Sequence, residues 1–250
     1  MASNSVKPLN GQQVPMDNYS ARRLLEMTKQ TQTEMGHPEL KLDNEGGNTA
    51  TLTALPTTPE HGDLPTEDIR VAALKATLER HRGERQIVLL QDFPDPDALS
   101  GAWAYQLIAK QYNINCDIIY AGALSHQENI ALVKLTGLPT KKIAAIHFKE
   151  KDLSGYQGCV LIDNQGTTCQ LLALVRDAGI PITVIIDHHS LQEDLNAEFV
   201  DIRPSSRATA TILTQYLQAG VLRLDSSISE HVKCATALMH GLRSDRKSVV

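Results

Sequence analysis

Three short polar clusters, each directly after an apolar run, carry the side chains best suited to chemistry. Gln91-Asp92-Phe93-Pro94-Asp95-Pro96-Asp97 follows Gln86–Leu90 (QIVLL), Asp163-Asn164 follows Cys159–Ile162 (CVLI), and Asp187-His188-His189 follows Thr183–Ile186 (TVII). Carboxylate oxygen and imidazole nitrogen, with no thiolate beside them, suit Mn2+, Mg2+ or a similar divalent cation better than a structural zinc. Asp95 and Asp97 stand two residues apart on a turn restricted by Pro94 and Pro96, so their carboxylates can address two neighbouring cations. Asp163, from the middle of a sheet, could bridge both. A metal pair about 3.5–4 Å apart polarises a phosphoryl group and activates water near neutral pH. Taken singly, two of these residues have plainer readings: Asp97 as the N-cap of a helix starting at Ala98, and Asp163 as a turn residue. Two adjacent histidines straight after a buried strand are harder to read as an ordinary solvated loop.

The elements that must position these residues alternate. A helix is expected over EDIRVAALKATLERH, with Thr66 as its N-cap, and then a strand at Gln86–Leu90. A helix over Ala98–Gln111, a strand at Cys116–Tyr120 and a helix over Gln127–Leu135 follow. Strands are expected at Ile143–His147, Cys159–Ile162 and Thr183–Ile186, with a helix at Thr168–Ala178 closed by Gly179 and Pro181. Two helices, Thr209–Gln218 and Ile228–Leu242, complete the pattern. The strand runs are rich in Val and Ile and apolar on both faces, as in a parallel sheet covered on two sides. The expected fold is therefore α/β, an open, mainly parallel sheet with helices on both faces. In such sheets ligands bind beyond the carboxyl ends of the strands, where all three polar clusters fall.

Composition bounds the partners. The 250 residues, 42% hydrophobic and 21% charged, fit a soluble globular chain with one main domain. A net charge of −5 argues against binding long duplex nucleic acid through its phosphates. It leaves room for a small phosphorylated substrate or a short oligonucleotide, because a metal pair supplies local positive charge. Cys116, Cys159, Cys169 and Cys234 form no C-x-x-C pair and read as free thiols in a reducing compartment. With no apolar run of about 18 residues and no secretory leader, no membrane is expected and the location reads as cytoplasmic. Residues 1–62, rich in Asn, Gln, Thr, Gly and Pro, read as a disordered arm with a possible short helix in SARRLLEMTK.

FPDPDALSGAWA, VLIDNQG, VIIDHHS and GLRSD resemble, in order, the four motifs of the DHH phosphoesterase superfamily. That group includes nanoRNase/pAp phosphatases, single-strand exonucleases, cyclic-dinucleotide phosphodiesterases and manganese-dependent pyrophosphatases. The resemblance covers about Gln86 to Asp245 and implies a Rossmann-like domain over 66–245. It implies two divalent cations, Mn2+ or Mg2+, with Asp95 on one, Asp97 on the other, Asp163 bridging, and His188 as the imidazole ligand. Asp245 would complete the ligand set of the second metal, Asp187 would orient the region from behind the ligands, and His189 would face the scissile phosphate or position a neighbour. Ser205-Ser206-Arg207-Ala208-Thr209 stands where the family has a small-residue helix start. There, free N–H groups and Arg207 could hold a phosphate oxygen, or Ser206 could simply cap the helix.

The sequence departs from the family pattern at two places. The first motif commonly begins with a histidine ligand, and Gln91, a weaker neutral ligand, stands at that position. The family also continues into a smaller companion domain that closes over the substrate, whereas this chain stops at Val250, just after GLRSD. Its last six residues back-translate to a stretch resembling a sequencing adapter, so a gene fragment without that domain is expected, weakly active or inactive alone. The implied function is metal-dependent hydrolysis of phosphate esters in short nucleotides. Phosphoanhydride cleavage, or a non-catalytic nucleotide-binding module keeping the fold, are the alternatives.

Overall fold

A computed structural model describes residues 66–149, 153–192 and 195–244. The arm over 1–62, its short helix and Asp245 lie outside the described residues. Helix α1 (Glu67–Arg80) is followed by strand β1 (Arg85–Leu89), α2 (Pro96–Lys110), β2 (Asn115–Tyr120) and α3 (Gln127–Thr136). Then come β3 (Thr140–Lys142), α4 (Ala145–Lys149), β4 (Gly158–Ile162) and α5 (Leu171–Asp177). The chain continues with β5 (Ile182–Asp187), β6 (Phe199–Ile202), α6 (Thr209–Gln218) and α7 (Ser229–Ser244). The six strands are all parallel, in the order β3-β2-β1-β4-β5-β6. The chain therefore reverses its direction of winding between β1 and β4. In an open sheet, the crevice that binds ligands opens at such a switch point, beyond the strands' carboxyl ends.

The apolar runs explain the layers. Successive strand residues point to opposite faces, so Val88, Leu90, Ile118, Val160, Ile162, Val184 and Ile186 join a core with α1, α2, α3, α6 and α7. Ile87, Leu89, Ile119, Cys159, Leu161 and Ile185 face the other way, onto Phe148 of α4 and Leu171, Leu172 and Val175 of α5. Both faces of the central strands are covered, as their unbroken apolar composition requires. All four cysteines are buried and free. Among the described residues no helix is long and apolar enough to cross a membrane.

Three elements differ from the sequence reading. The strand expected at Ile143–His147 lies earlier, at Thr140–Lys142, and Ala145–Lys149 is helical. At the sheet's edge, pairing with β2 leaves these side chains mostly in solvent, so a polar TKK stretch suffices and carries no apolar signal. Strand β6 was not expected, because Asp201 interrupts its apolar run; the carboxylate is buried and accepts hydrogen bonds from Arg203 and Tyr216. Thr66 occupies the N-cap position of α1 with extended backbone, but its side chain makes no capping bond.

Helix α2 connects the fold to the site. It is buried nearly all round, packed between the sheet and α7 with small residues at the close approaches. A Cβ on Gly241 of α7 would lie 2.3 Å from Ser100 Oγ and 3.0 Å from the carbonyl oxygen of Pro96. Ser100 sits on the first turns of α2, where its hydroxyl donates to the Asp97 carbonyl, so it has little freedom to withdraw. Alanine ordinarily stabilises a helix interior over glycine by up to about 1 kcal/mol. Overpacking outweighs that gain here: Gly241→Ala is expected to destabilise the protein by roughly 1–3 kcal/mol in urea unfolding. Unchanged or raised stability would show that α2 and α7 do not meet this closely.

Candidate metal centre at the sheet's switch point

The loop after β1 is pinned on several sides. Asp92 donates its N–H to the Thr168 carbonyl and accepts at its own carbonyl from Ala123, while Asn129 of α3 donates to the Pro94 carbonyl. Pro96 is the first residue of α2, and Asp95 is its N-cap, accepting from the Ala98 N–H at 2.9 Å. Capping thus falls to Asp95 and frees Asp97 to point elsewhere. The Asp97 carboxylate is buried and takes two hydrogen bonds from the start of α6: Thr209 N to Oδ2 at 2.7 Å and Ala210 N to Oδ1 at 2.6 Å.

Asp163, at the end of β4, has φ of 60°, a left-handed conformation that Asp adopts more readily than most residues. The next residue, Asn164, donates its amide to the Leu89 and Ile162 carbonyls and accepts from Gly166 N, tying the ends of β1 and β4 together. The buried Asp163 carboxylate accepts from Thr209 Oγ1 at 2.8 Å. Its Oδ1 lies 3.5 Å from His188 Nε2, and the same nitrogen lies 3.7 Å from Asp97 Oδ2. Side chains from the ends of three strands thus meet within one cluster.

Asp187 shapes the turn that delivers the histidines. Its Oδ1 accepts from the backbone N–H groups of His188 and His189 and stands 2.8 Å from His189 Nδ1. Its Oδ2 accepts from Gln165 Nε2 at 2.7 Å. Gln165 also donates to the Ser190 carbonyl and accepts from Gln192 N, so one buried amide fastens the chain from Asp187 to Gln192. His188 is mostly enclosed, whereas the His189 side chain is 56% exposed; their ring centroids are 4.3 Å apart.

Asp163, His188 and His189 each offer a ligand atom, all within 4.8 Å of one another. Burial above all, and then the negative charges of Asp97 and Asp95, push the Asp163 carboxyl well above the ordinary carboxylate range. A divalent cation among these groups would offset both effects, and the oxygen-and-imidazole donor set fits a hard-to-borderline metal.

Not every candidate joins the cluster. Gln91 is half-buried on the loop after β1, outside the hydrogen-bonded group. The N–H groups expected to be free at the start of α6 are engaged: Thr209 and Ala210 donate to Asp97 and Thr211 donates to the Ala208 carbonyl. Ser206 does not cap α6, whose N-cap position is Ala208; its hydroxyl donates to the Ala208 carbonyl instead. Arg207 is exposed. The first N–H groups of α6 are therefore taken by an internal carboxylate. Sequence reasoning missed Thr209 and Gln165, whose types are unremarkable and whose partners lie far along the chain.

The sequence profile described as the DHH family, N-terminal domain, matches residues 86–242. The chain belongs to the DHH family. It is 36% identical over 172 residues to an uncharacterized protein of Methanocaldococcus jannaschii, a match covering 67% of this chain and 32% of that protein. A crystal structure of an exopolyphosphatase-related protein from Bacteroides fragilis shares the fold, with TM-score 0.55 at 14% identity. That match covers 73% of this chain and 53% of the other. The chain thus spans about a third of the length of the archaeal relative and about half of the structural one.

The DHH cluster makes a pH-dependent prediction. A carboxyl held above its usual range in the folded state adds stability below its unfolded value, near 3.8, and that contribution is lost as pH rises through the elevated folded value. Metal-free protein should therefore weaken on going from acid toward neutral pH at this site. Asp163→Asn is expected to raise the metal-free melting temperature at pH 7 by about 2–4 °C, on the order of 1 kcal/mol, and to flatten its pH dependence. A lower melting temperature for this variant at pH 7 would contradict the charge account.

Proposed function

We propose that this chain carries the metal-binding half of a phosphoesterase that hydrolyses phosphate esters of short nucleotides or oligonucleotides. The observation that carries the reading is the convergence of Asp97, Asp163 and His188 at the switch point. In this reading two divalent cations, Mn2+ or Mg2+, are held by Asp95, Asp97, Asp163 and His188, with Asp245 as a further ligand. When bound, they set positive charge against the phosphoryl oxygens and favour ionisation of an attacking water. Asp187 holds His189 through Nδ1, which leaves the ring's other nitrogen to meet a phosphoryl oxygen. Arg207, exposed near the start of α6, is positioned to meet substrate from solvent rather than from a preformed anion pocket. A smaller companion domain, implied by the family resemblance, closes over the substrate in the whole protein.

Two exposed apolar side chains favour a nucleotide over a fully inorganic substrate. Phe93 is 62% exposed on the loop that carries Asp95, and Leu191 is 55% exposed two residues after His189. An aromatic face beside a metal centre suits a stacked base, an interaction worth about 1–3 kcal/mol, and offers nothing to pyrophosphate. Phosphoanhydride cleavage is the second reading, favoured by the description of the Bacteroides structure as exopolyphosphatase-related.

Hydrolysis of dinucleotides, pAp, cyclic dinucleotides, pyrophosphate and tripolyphosphate with Mn2+ separates the readings. The expected result is metal-dependent cleavage of a short nucleotide, reduced about 100-fold or more by Asp163→Ala. Phe93→Ala should raise KM for the nucleotide roughly 5-fold or more, as loss of one stacked base implies, and leave turnover of tripolyphosphate unaffected. Equal activity of the wild type and Asp163→Ala, or turnover confined to inorganic phosphoanhydrides, would overturn the proposal.

A further inference from the structure

Resting on that reading of the metal centre, we infer that Thr209 is a positioning residue that fixes the Asp163 carboxylate in register with Asp97. The first two residues of α6 supply three hydrogen bonds to two carboxylates, one on the first turn of α2 and one just after β4. Thr209 N and Ala210 N hold the two oxygens of Asp97 at 2.7 and 2.6 Å, and Thr209 Oγ1 holds Asp163 Oδ1 at 2.8 Å. One residue therefore spans the gap between the start of α2 and the loop after β4.

The geometry sets the direction of the hydroxyl. Thr209 is fully buried. A Cβ on Gly101 of α2 would stand 3.6 Å from the Thr209 methyl and 3.1 Å from the Cγ2 of Ile162. The Thr209 methyl therefore faces α2 at Gly101, at a distance where even a Cβ would make only ordinary contact. Buried with its methyl facing α2, a β-branched side chain has little rotational freedom, and its oxygen is aimed at Asp163. The oxygen that receives it, Oδ1, also lies nearest His188 Nε2. Occupying one lone pair of Oδ1 fixes the plane of the carboxylate and the direction of the remaining lone pairs. Asp163 needs such a partner, because its left-handed backbone and its short side chain do not determine that plane. Hydrogen bonds to metal-ligating carboxylates act in this way, and losing one typically costs about 10–100-fold in metal affinity.

Calorimetric titration of the metal-free 250-residue chain with Mn2+ tests the role without reference to turnover. Thr209→Val keeps the shape and the backbone N–H but removes the hydroxyl, and should weaken Mn2+ binding about 10–100-fold. Thr209→Ser, which restores a hydroxyl, should return affinity to within about 3-fold of wild type, and a structural role of the methyl would not be rescued this way. Wild-type affinity in a folded Thr209→Val, with circular dichroism unchanged, would overturn the inference. If the valine variant does not fold, Thr209→Ser and Thr209→Ala decide: the serine form should bind clearly more tightly, and equal affinities would overturn the inference. Asp163→Ala separates the two levels of the argument. Wild-type Mn2+ affinity in that variant would sink the metal-centre reading itself, whereas its loss beside an unaffected Thr209→Val would sink only the role of Thr209.

Discussion

Acidic groups crowded out of water are the constraint around which this structure is organised. Asp97 and Asp163 are buried almost completely, Asp95 adds its charge, and burial in a medium of low polarity disfavours every ionised carboxylate. A protein can accommodate such a group by hydrogen bonding, by protonation or by a counter-charge. Asp97 is held by two backbone N–H groups at the start of α6. Asp163 has one hydroxyl donor against burial and the like charges of Asp97, Asp95 and Asp187, and its carboxyl is pushed toward the protonated form. A cation beside Asp163 would offset both its burial and its like-charged neighbours.

The rest of the domain holds this arrangement against its own repulsion. Asn164 joins the ends of β1 and β4, Gln165 joins the loops after β4 and β5, and Asp187 folds the two histidines back toward the cluster. These amides and carboxylates sit under the site and have their hydrogen bonds largely met within the protein. The chemistry-bearing groups are therefore attached to strand ends braced by neighbouring loops rather than to mobile loops alone, and rigidity at this level is what lets carboxylates address a metal with defined geometry.

Much of this was legible from the sequence because the signals are local. The strands β1, β4 and β5 announce themselves as apolar on both faces, and the residue that follows each must fall at one edge of a parallel sheet. From those two facts alone Asp95, Asp97, Asp163, Asp187, His188 and His189 could be placed together. What escaped reading depends on contacts between distant segments. Strand β6 carries a buried aspartate whose partners, Arg203 and Tyr216, are known only once the strand is docked. Edge strand β3 is polar because one side of it meets water. That an internal carboxylate from more than a hundred residues earlier takes the first N–H groups of α6 could not be read from spacing. Asp95 and Asp97 illustrate the same limit on a smaller scale, since which of two aspartates caps the helix depends on whether Pro96 or Ala98 is its first residue.

Anomalous diffraction from crystals grown with Mn2+ tests the central claim most directly. The account predicts density for the cation at the carboxyl ends of β1, β4 and β5, with Asp97, Asp163 and His188 donor atoms about 2.0–2.3 Å away. Manganese bound elsewhere, or carboxylates at this site left without a cation at saturating Mn2+, would contradict it.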